Sequence, residues 1–358
     1  MKRKEGMMID LRSDTLTHPT AEMRKAMYEA KVGDDGRVDQ EGHGEDPTVN
    51  ELQEEAARIF GKEDALLASS GTMGNLVALL THCQPGDRVI VGENAHIHRI
   101  EKAGFNPRFG GASAVVVECD RFGKMKMESL ASMITDDIKL LCLENTNNFY
   151  SGTFLTQEEI ERYTQAAHAR GIPVHMDCAR IFNAAIAQKV DVKSLTGSVD
   201  SLMFCISKGL SCPVGSLLVG SKDFIRQARE NRKMIGGEMR QAGVFAAAGI
   251  VALKKMINRL EEDHATAQKL AAILSGIKGL SLDLELVQTN IVRFDVSSLG
   301  LSSSQFAGEV GKRGVKLGPV TDILIRAVTH RGIRMRDVEK AGKIIHDFCR
   351  DQKMARST

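Results

Sequence analysis

Between residues 65 and 219, short apolar runs alternate with amphipathic stretches. The stretches Thr72–Thr81, Met127–Ile134 and Gln157–Arg170 are predicted helices. Because the apolar runs are continuous rather than alternating, they are typical of strands buried on both faces of a largely parallel sheet. The pattern therefore indicates an α/β fold with a seven-stranded sheet. The predicted strands are Ala65–Ser69, Arg88–Val91, Ala114–Glu118, Ile138–Leu143, Val174–Met176, Ser201–Ile206 and Ser216–Val219.

Helical patterns flank this region on both sides. Before it, Pro19–Lys31 and Pro47–Phe60 are predicted helices, the second capped by Asp46. After it, residues 239–275 read as one long connecting helix. Weaker strand signals at 280–295 and 323–328, with helices at 303–313 and 335–350, predict a small α+β domain. We expect an N-terminal arm (1–18), a large domain (19–250) and a small C-terminal domain (251–358).

Composition narrows the class of protein. Hydrophobic residues make up 42% of the chain, charged residues 26%, and the net charge is +2, so the basic bias of a nucleic-acid-binding protein is missing. No apolar run is long enough to span a bilayer. The seven cysteines form no CxxC pair, which favours buried free thiols in a reducing compartment. We expect a cytoplasmic protein with a small-molecule partner and neither nucleic acid nor membrane as partner.

Chemically useful side chains follow the predicted strands. Lys208 comes after Ser201–Ile206, and Asp177 comes directly after Val174–Met176. Sites in such sheets lie at the carboxyl ends of strands, where a partly desolvated lysine can attack a carbonyl. An aspartate there can keep a pyridine nitrogen protonated, and Arg180 can pair with a substrate carboxylate. Taken singly, each has a structural alternative: an exposed lysine at a strand end, or an Asp–Arg pair.

Three further segments suit the same kind of site. Gly71 and Thr72 open a predicted helix, whose N-terminal amides suit a phosphate, although Ser-Gly-Thr is also an ordinary cap. His96 follows another strand and can stack on a ring; no third ligand accompanies the His96–His98 pair, so no metal is expected. The basic residues around Gly236-Gly237 suit phosphate contact. Phosphate cradle, ring stacker, carboxylate and amine together predict pyridoxal phosphate.

At this level of detail the chain resembles the L-threonine aldolases of the β-eliminating lyase family, which are fold type I pyridoxal phosphate enzymes. The resemblance runs from Ile9 to about Ala248 and is weaker beyond. It implies a large cofactor-binding domain with a mostly parallel seven-stranded sheet flanked by helices, plus a small α+β domain. The stretches that carry it are Asp10–Thr15, Gly44–Asn50, Ser70–Asn75, Asp177–Asn183, Ser207–Leu210, Pro213–Ser216 and Gly236–Gln241.

The resemblance implies a role for each site residue. Lys208 would hold the cofactor as a Schiff base, Asp177 would pair with the pyridine nitrogen, and His96, in a His-x4-Glu pattern with Glu101, would stack on the ring. The phosphate would be bound by Gly71 and Thr72, and by Arg240 from a neighbouring subunit of a homotetramer, a dimer of dimers. The substrate carboxylate would be held by Ser13, Arg180 and Arg326.

The chain departs from the family pattern mainly on the substrate side. Asn147 stands where the family has a histidine near the substrate hydroxyl, Gly36–Gly42 look inserted, and His43 replaces a tyrosine. Cα–Cβ cleavage of a β-hydroxy-α-amino acid to glycine and an aldehyde is the implied reaction. Asn147 can only orient the substrate, because an amide does not titrate; His96 or a bound water is then the candidate base, and His43 is a second candidate for proton transfer.

Two other functions are compatible with the sequence. The first is a pyridoxal phosphate-dependent β-eliminating lyase acting on a modified amino acid. The second is a non-catalytic regulator or carrier, which predicts a degraded Lys208 or Asp177, whereas both are intact. A nicotinamide dehydrogenase is disfavoured because no GxGxxG motif follows the first predicted strand.

Overall fold

The computed structural model describes residues 8–39 and 42–357. The first seven residues of the expected N-terminal arm, and residues 40 and 41 of the expected insertion, lie outside the described residues. The strands are β1 (Ile9–Asp10), β2 (Asp64–Ala68), β3 (Arg88–Gly92), β4 (Ser113–Val117), β5 (Ile138–Glu144), β6 (Val174–Asp177), β7 (Ser201–Cys205), β8 (Ser216–Gly220), β9 (Ile291–Asp295), β10 (Val315–Lys316), β11 (Gly318–Pro319) and β12 (Leu324–Val328).

Helices occupy most of the chain between the strands. They are α1 (Ala21–Glu29), α2 (Pro47–Phe60), α3 (Gly71–His82), α4 (Met127–Met133), α5 (Gln157–His168), α6 (Ile181–Gln188), α7 (Val192–Thr196), α8 (Lys222–Met234), α9 (Gly243–Lys255), α10 (Leu260–Ser275), α11 (Ser303–Lys312) and α12 (Met335–Ser357).

The seven-stranded sheet confirms the predicted fold class. Its strand order is β2-β8-β7-β6-β5-β3-β4. Only β8 runs against its neighbours, so the other six strands point the same way. All seven predicted strands are present within two residues of their expected bounds. The carboxyl ends of β2, β3, β5, β6 and β7 therefore share one edge of the sheet.

The buried carboxylate of Asp46 holds the start of α2 next to the start of α9. Asp46 caps α2 as predicted, accepting from the backbone N–H groups of Thr48 and Val49 at 3.1 and 3.0 Å. Its second oxygen accepts from Gly243 N–H at 2.8 Å, at the beginning of α9. A Cβ at Gly243 would lie 2.5 Å from Asp46 Oδ1, so a larger residue would push the two elements apart. The cap is worth about 1 kcal/mol.

The prediction of one long helix over 239–275 is wrong. Helix α9 ends at Lys255, and α10 begins at Leu260. Ile257 and Asn258, which lie between the two helices, are weaker helix formers than their neighbours, and Met256 and Leu260 on either side are both buried. Three acidic residues in the first turn of α10, which favour a helix start, mark the new beginning.

The chain forms two compact units. One comprises His18–Phe149 and Phe154–Asn258 and contains the large sheet. The other comprises the described parts of Met1–Thr17, Tyr150–Thr153 and Arg259–Thr358. This second unit holds the antiparallel sheet β11-β12-β9 and the short parallel pair β1-β10.

The second unit has its own aromatic core. Phe306 contacts Phe294 and Phe348 edge to face, with ring centroids 6.0 and 5.3 Å apart. All three side chains are buried among residues of β9, α10, α11, β12 and α12. The expected small α+β arrangement at the C-terminal end is thus confirmed.

The cysteines agree with the prediction of buried free thiols. All seven cysteines are free thiols, and six of them are buried. Among residues 8–39 and 42–357, no helix combines the length and apolarity needed to cross a bilayer.

Candidate active site

The carboxyl edge of the large sheet brings most of the predicted site residues together. Register places Asp177 of β6 between Glu144 of β5 and Met203 of β7. The backbone N–H of Asn145 donates to the Asp177 carbonyl at 2.9 Å, and that of Cys178 donates to Met203 at 2.7 Å. The loops that leave these three strands are therefore held side by side.

Lys208 and Arg180 line the same cleft. This cleft is bounded by the segment Cys178–Asn183 and by Cys205 and Lys208–Leu210. Arg180 is buried, and its Nη1 donates to Asn148 Oδ1 at 3.4 Å. Lys208 is partly buried. The amine and the guanidinium predicted for cofactor and substrate thus share one cleft.

Asp177 is buried and held by donors on both oxygens. Oδ1 accepts from the backbone N–H of Ala179 at 3.0 Å, and Oδ2 accepts from Asn75 Nδ2 at 3.0 Å. Its side chain is 2% exposed. These two donors fix the orientation of the carboxylate at the end of β6.

His96 and Glu101 lie close to the Asp177 carboxylate. His96 Nδ1 lies 2.9 Å from Glu101 Oε1, and a ligand atom from each of His96, Glu101 and Asp177 falls within 4.8 Å of the others. Asn75 Nδ2 donates to both Glu101 oxygens, at 3.2 and 3.1 Å. His98 points elsewhere, packing edge to face on Phe105 at 5.1 Å.

The acidic surroundings change how His96 titrates. Burial acts to lower the pKa of His96, but the hydrogen bond that its ring donates to Glu101 and the charges of Asp177, Glu101 and Glu144 outweigh it, so the pKa is raised. The protonated imidazole is therefore favoured in the folded protein relative to the unfolded chain.

Replacing Glu101 with glutamine should make this effect visible in stability. Glutamine keeps an acceptor for Asn75 but removes the charge beside His96. Because the folded-state pKa of His96 is raised, its contribution is complete below the unfolded pKa of about 6.5 and is lost as pH rises through the folded value. We expect denaturant unfolding of the cofactor-free protein to give a wild-type advantage at pH 6 on the order of 1 kcal/mol, shrinking by pH 9. A difference that grows with pH would contradict this assignment.

Gly71 and Thr72 form the N-terminus of α3, as predicted. Ser70 caps the helix, accepting from Met73 N–H at 3.1 Å. A Cβ at Gly71 would lie 3.0 Å from Cys205 Sγ, and one at Gly74 would lie 2.7 Å from Met203 Cγ. The absence of side chains thus lets the first turn of α3 sit directly on β7, the strand that leads to Lys208.

Gly74→Ala should destabilise the protein for this reason. The added methyl group overpacks Met203, at a cost of about 1–3 kcal/mol, partly offset by the higher helix propensity of alanine. Gly308 of α11 is the matched control, because a Cβ there meets nothing within 4 Å. Thermal unfolding should show a lower midpoint for Gly74→Ala and an equal or higher one for Gly308→Ala. Equal midpoints for both variants would mean that α3 does not pack tightly on β7.

A second cavity holds Glu144 and Asn147. Met125, Cys142 and Tyr163 are also part of its lining. Glu144 accepts from the backbone N–H groups of His96 and Asn148, at 2.9 and 2.8 Å. Burial and the charge of Asp177 raise the pKa of Glu144. This carboxyl group thereby joins the loop that carries His96 to the loop that carries Asn147.

The basic segment around Gly236-Gly237 lies beside α3. A Cβ at Gly237 would come within 2.6 Å of Met73 Sδ, so the segment approaches the first turn of that helix. Arg232 is buried and donates to Leu67 O and to Asp35 Oδ2, both at 2.7 Å. Arg240, by contrast, is an exposed side chain.

Arg240 contacts the loop that precedes α2. Its Nη1 donates to Asp34 Oδ1 at 2.8 Å and to Glu238 Oε1 at 2.7 Å. His43 lies further along this loop, where its backbone N–H donates to Asp39 Oδ1 at 2.9 Å. Val38 and Gly44 form an antiparallel bridge across the turn. The described residues on either side of residues 40 and 41 are therefore joined by antiparallel backbone pairing.

Ser13 and Arg326 belong to the second unit. Ser13 caps a short 3-10 helix, where its Oγ accepts from the hydroxyl of Thr15 at 2.8 Å. Arg326 lies on β12, paired in register with Gly318 and Arg293. A Cβ at Gly318 would lie 3.4 Å from Arg12 O and 3.5 Å from Arg326 O, so the residue before Ser13 and Arg326 border the same glycine.

Reasoning from sequence missed two parts of this edge. Glu144 was not expected to join two loops, and Asn75 was not expected to connect Glu101 with Asp177. One signal was present: His175 and Asp177 are two apart on a strand and therefore share a face of the sheet. The partners of such groups come from distant positions, which strand periodicity does not reveal.

Known proteins resemble this chain in sequence and in fold. The family model described as β-eliminating lyase matches residues 10–297. Low-specificity L-threonine aldolase 1 of Arabidopsis thaliana is 40% identical over 340 residues, covering 92% of this chain and 93% of its own length. The low specificity L-threonine aldolase of Escherichia coli strain K12 is 42% identical over 301 residues, covering 82% and 87%.

Solved structures agree on the fold. A threonine aldolase of Leishmania major superposes with a TM-score of 0.79 at 18% identity, covering 95% of this chain and 99% of that one. A serine palmitoyltransferase of Sphingomonas wittichii gives 0.77 at 16% identity, covering 97% and 88%. At these identities the likeness concerns the fold alone. With the family model spanning most of the chain and relatives at 40% and 42% identity, this protein belongs to the β-eliminating lyase family.

Proposed function

We propose that this enzyme is a pyridoxal phosphate-dependent aldolase. It cleaves the Cα–Cβ bond of a β-hydroxy-α-amino acid of the threonine type and releases glycine and an aldehyde. The observation that carries the proposal is the convergence of an amine, a buried carboxylate and a helix N-terminus on one sheet edge, in a chain related to threonine aldolases over more than four-fifths of its length.

The residues at this edge fit the cofactor chemically. The N-terminal amides of α3 suit its phosphate. Gly71 and Gly74 carry no side chain in the first turn, where a Cβ would meet β7. Asp177 supplies a fixed carboxylate for a ring nitrogen, and Lys208 supplies an amine for an aldehyde carbon. When bound, the cofactor supplies an electron sink for the pair of electrons left by the broken bond.

The other side chains of the site have separate roles. Arg180 binds the substrate carboxylate in the cleft that it shares with Lys208, which sets the direction of the bond to be cleaved. His96, whose protonation is coupled to Glu101, is the candidate to accept the β-hydroxyl proton. Asn147 orients the substrate hydroxyl without titrating. Ser13 and Arg326 are proposed ligands of the substrate carboxylate on the strength of the resemblance.

Product analysis distinguishes this reaction from β-elimination. The purified enzyme with pyridoxal phosphate is incubated separately with L-threonine, L-allo-threonine, D-threonine and L-serine. We expect glycine and an aldehyde in equal amounts from at least one threonine isomer. A 2-oxo acid with ammonia would instead identify a β-eliminating lyase, and an unchanged substrate in every incubation would favour the carrier.

We further propose that the enzyme is a cytoplasmic homotetramer, a dimer of dimers. The seven free thiols, six of them buried, suit a reducing compartment. The Arg240 side chain is 62% exposed, and Met234 in the same basic segment is 75% exposed, which suits an arginine offered to a neighbouring subunit. Light scattering on the purified holoenzyme tests the assembly: a mass of four chains is expected, and a stable monomer would contradict it.

A further inference from the structure

A row of polar side chains, buried except for the half-buried His82, leads from Asp177 into the large unit. His175 Nε2 lies 3.1 Å from Asn75 Oδ1, and His175 Nδ1 lies 2.9 Å from Ser201 Oγ. Ser201 Oγ in turn lies 2.8 Å from His82 Nε2. Helix α3 contributes both ends of the row, Asn75 and His82, while β6 and β7 contribute the middle. The four side chains touch no part of the cleft that Lys208 lines.

The orientation of the Asn75 amide follows from its neighbours. One terminal atom of this amide lies within 3.2 Å of both Glu101 oxygens and of Asp177 Oδ2. Carboxylate oxygens only accept, so this atom must be the nitrogen; an oxygen there would face three acceptors. The amide oxygen consequently faces His175 Nε2, which must carry a proton to donate.

The remaining protons are then determined as well. Burial lowers the pKa of His175 to about 3 and that of His82 to about 4, so both rings are neutral near pH 7. A neutral His175 with its proton on Nε2 accepts a hydrogen bond at Nδ1 from the Ser201 hydroxyl. That bond uses the single hydroxyl proton of Ser201. His82 Nε2 must therefore donate to Ser201. Every hydrogen bond in the row points toward Asp177.

We propose that His82, Ser201 and His175 form a one-way donor chain that locks the Asn75 amide and so keeps Asp177 presented as an acceptor to the cofactor ring nitrogen. The three are positioning residues, acting through Asn75, and their role rests on the function proposed for Asp177. A reversed amide would place an oxygen against Asp177 Oδ2, and that contact is tolerated only if the aspartate takes up a proton. A protonated aspartate would no longer attract a pyridinium group.

The directions of the hydrogen bonds can be measured without any activity. Full-length protein labelled with ¹⁵N-histidine is studied by magic-angle-spinning NMR at pH 7.5, with and without pyridoxal phosphate. His175→Gln and His82→Gln assign the two signals by their loss. We expect both rings to be neutral with the proton on Nε2. A proton on Nδ1 of His175, or an imidazolium at either position, would overturn the proposal even if the protein binds the cofactor and turns over.

Two substitutions of one residue test the consequence for the cofactor. His175→Gln can keep an N–H near the position of Nε2, whereas His175→Asn can reach toward Ser201 but is too short to donate to Asn75. We expect the dissociation constant for pyridoxal phosphate, measured by absorbance titration, to stay within about threefold of wild type for His175→Gln and to rise about tenfold for His175→Asn.

Unfolding of the cofactor-free variants separates positioning from simple loss of packing. Both substitutions remove ring volume, so similar drops in melting temperature are expected. Equal weakening of cofactor binding in the two variants would assign the row a packing role only and overturn the proposal. If wild-type protein binds no pyridoxal phosphate, the proposed function fails, while the NMR measurement still decides the direction of the chain.

Discussion

Replacing Lys208 with alanine should abolish the absorbance band of a Schiff base between protein and cofactor and reduce turnover by at least about 10³-fold. The substitution removes the amine that would attach the cofactor and also removes a proton carrier from the cleft shared with Arg180. The phosphate contacts at the N-terminus of α3 are left in place. Some cofactor should therefore still bind, with the spectrum of the free aldehyde.

Lys222→Ala is the matched control, since Lys222 is an exposed residue in the first turn of α8. Its absorbance and turnover should equal those of the wild type. Absorbance spectra of both variants, recorded after dialysis against pyridoxal phosphate, give the comparison. A Lys208→Ala protein that keeps the wild-type spectrum and rate would place the cofactor on another amine.

Asp177→Asn should have the second largest effect. It removes the charge that holds the ring nitrogen protonated, so turnover should fall by about 10²- to 10³-fold. The protein should also lose about 1–3 kcal/mol of stability, because Asn75 Nδ2 and Ala179 N–H both donate to this side chain and an amide has only one oxygen to accept them. Steady-state kinetics and denaturant unfolding measure the two effects.

Asp200→Asn provides the control for this substitution. Asp200 also accepts from a backbone N–H, that of Val174 at 2.7 Å, but it lies at the start of β7 rather than at the carboxyl edge. Its replacement should lower stability and leave turnover unchanged. If Asp177→Asn loses stability but keeps its rate, Asp177 is a structural residue and the assignment of the ring-nitrogen partner is wrong.

The fold was largely predictable because its signals are local. Continuous apolar runs located all seven strands of the large sheet, and Asp46-Pro47 located the start of α2. The break between α9 and α10 was hidden, because the apolar pattern continues across Met256–Leu260 while the backbone turns. Helices α6, α7 and α8 were not predicted either. The Ala-rich α6 carries little amphipathic contrast, since it is buried on most sides.

The site was predictable as far as strand ends determine it. Asp177 ends a strand, while Lys208, His96 and Gly71 each follow one, and parallel strands bring their ends to one edge. Contacts between helix interiors and strand interiors were not predictable. Asn75 meets Asp177 from 102 positions away and His175 from 100 positions away, and no periodic pattern encodes such a pairing.

Reductive trapping tests the central claim most directly. The holoenzyme is treated with borohydride, digested, and the peptide that carries the reduced cofactor is identified by mass spectrometry. The modification should be on the peptide containing Lys208 and on Lys208 itself. Lys62 is the most informative competitor, because burial lowers its pKa, yet its ammonium donates to Gly197 O and Val199 O at 3.1 and 2.6 Å. Trapping on Lys62 or any other lysine, or no trapping at all, would contradict the account.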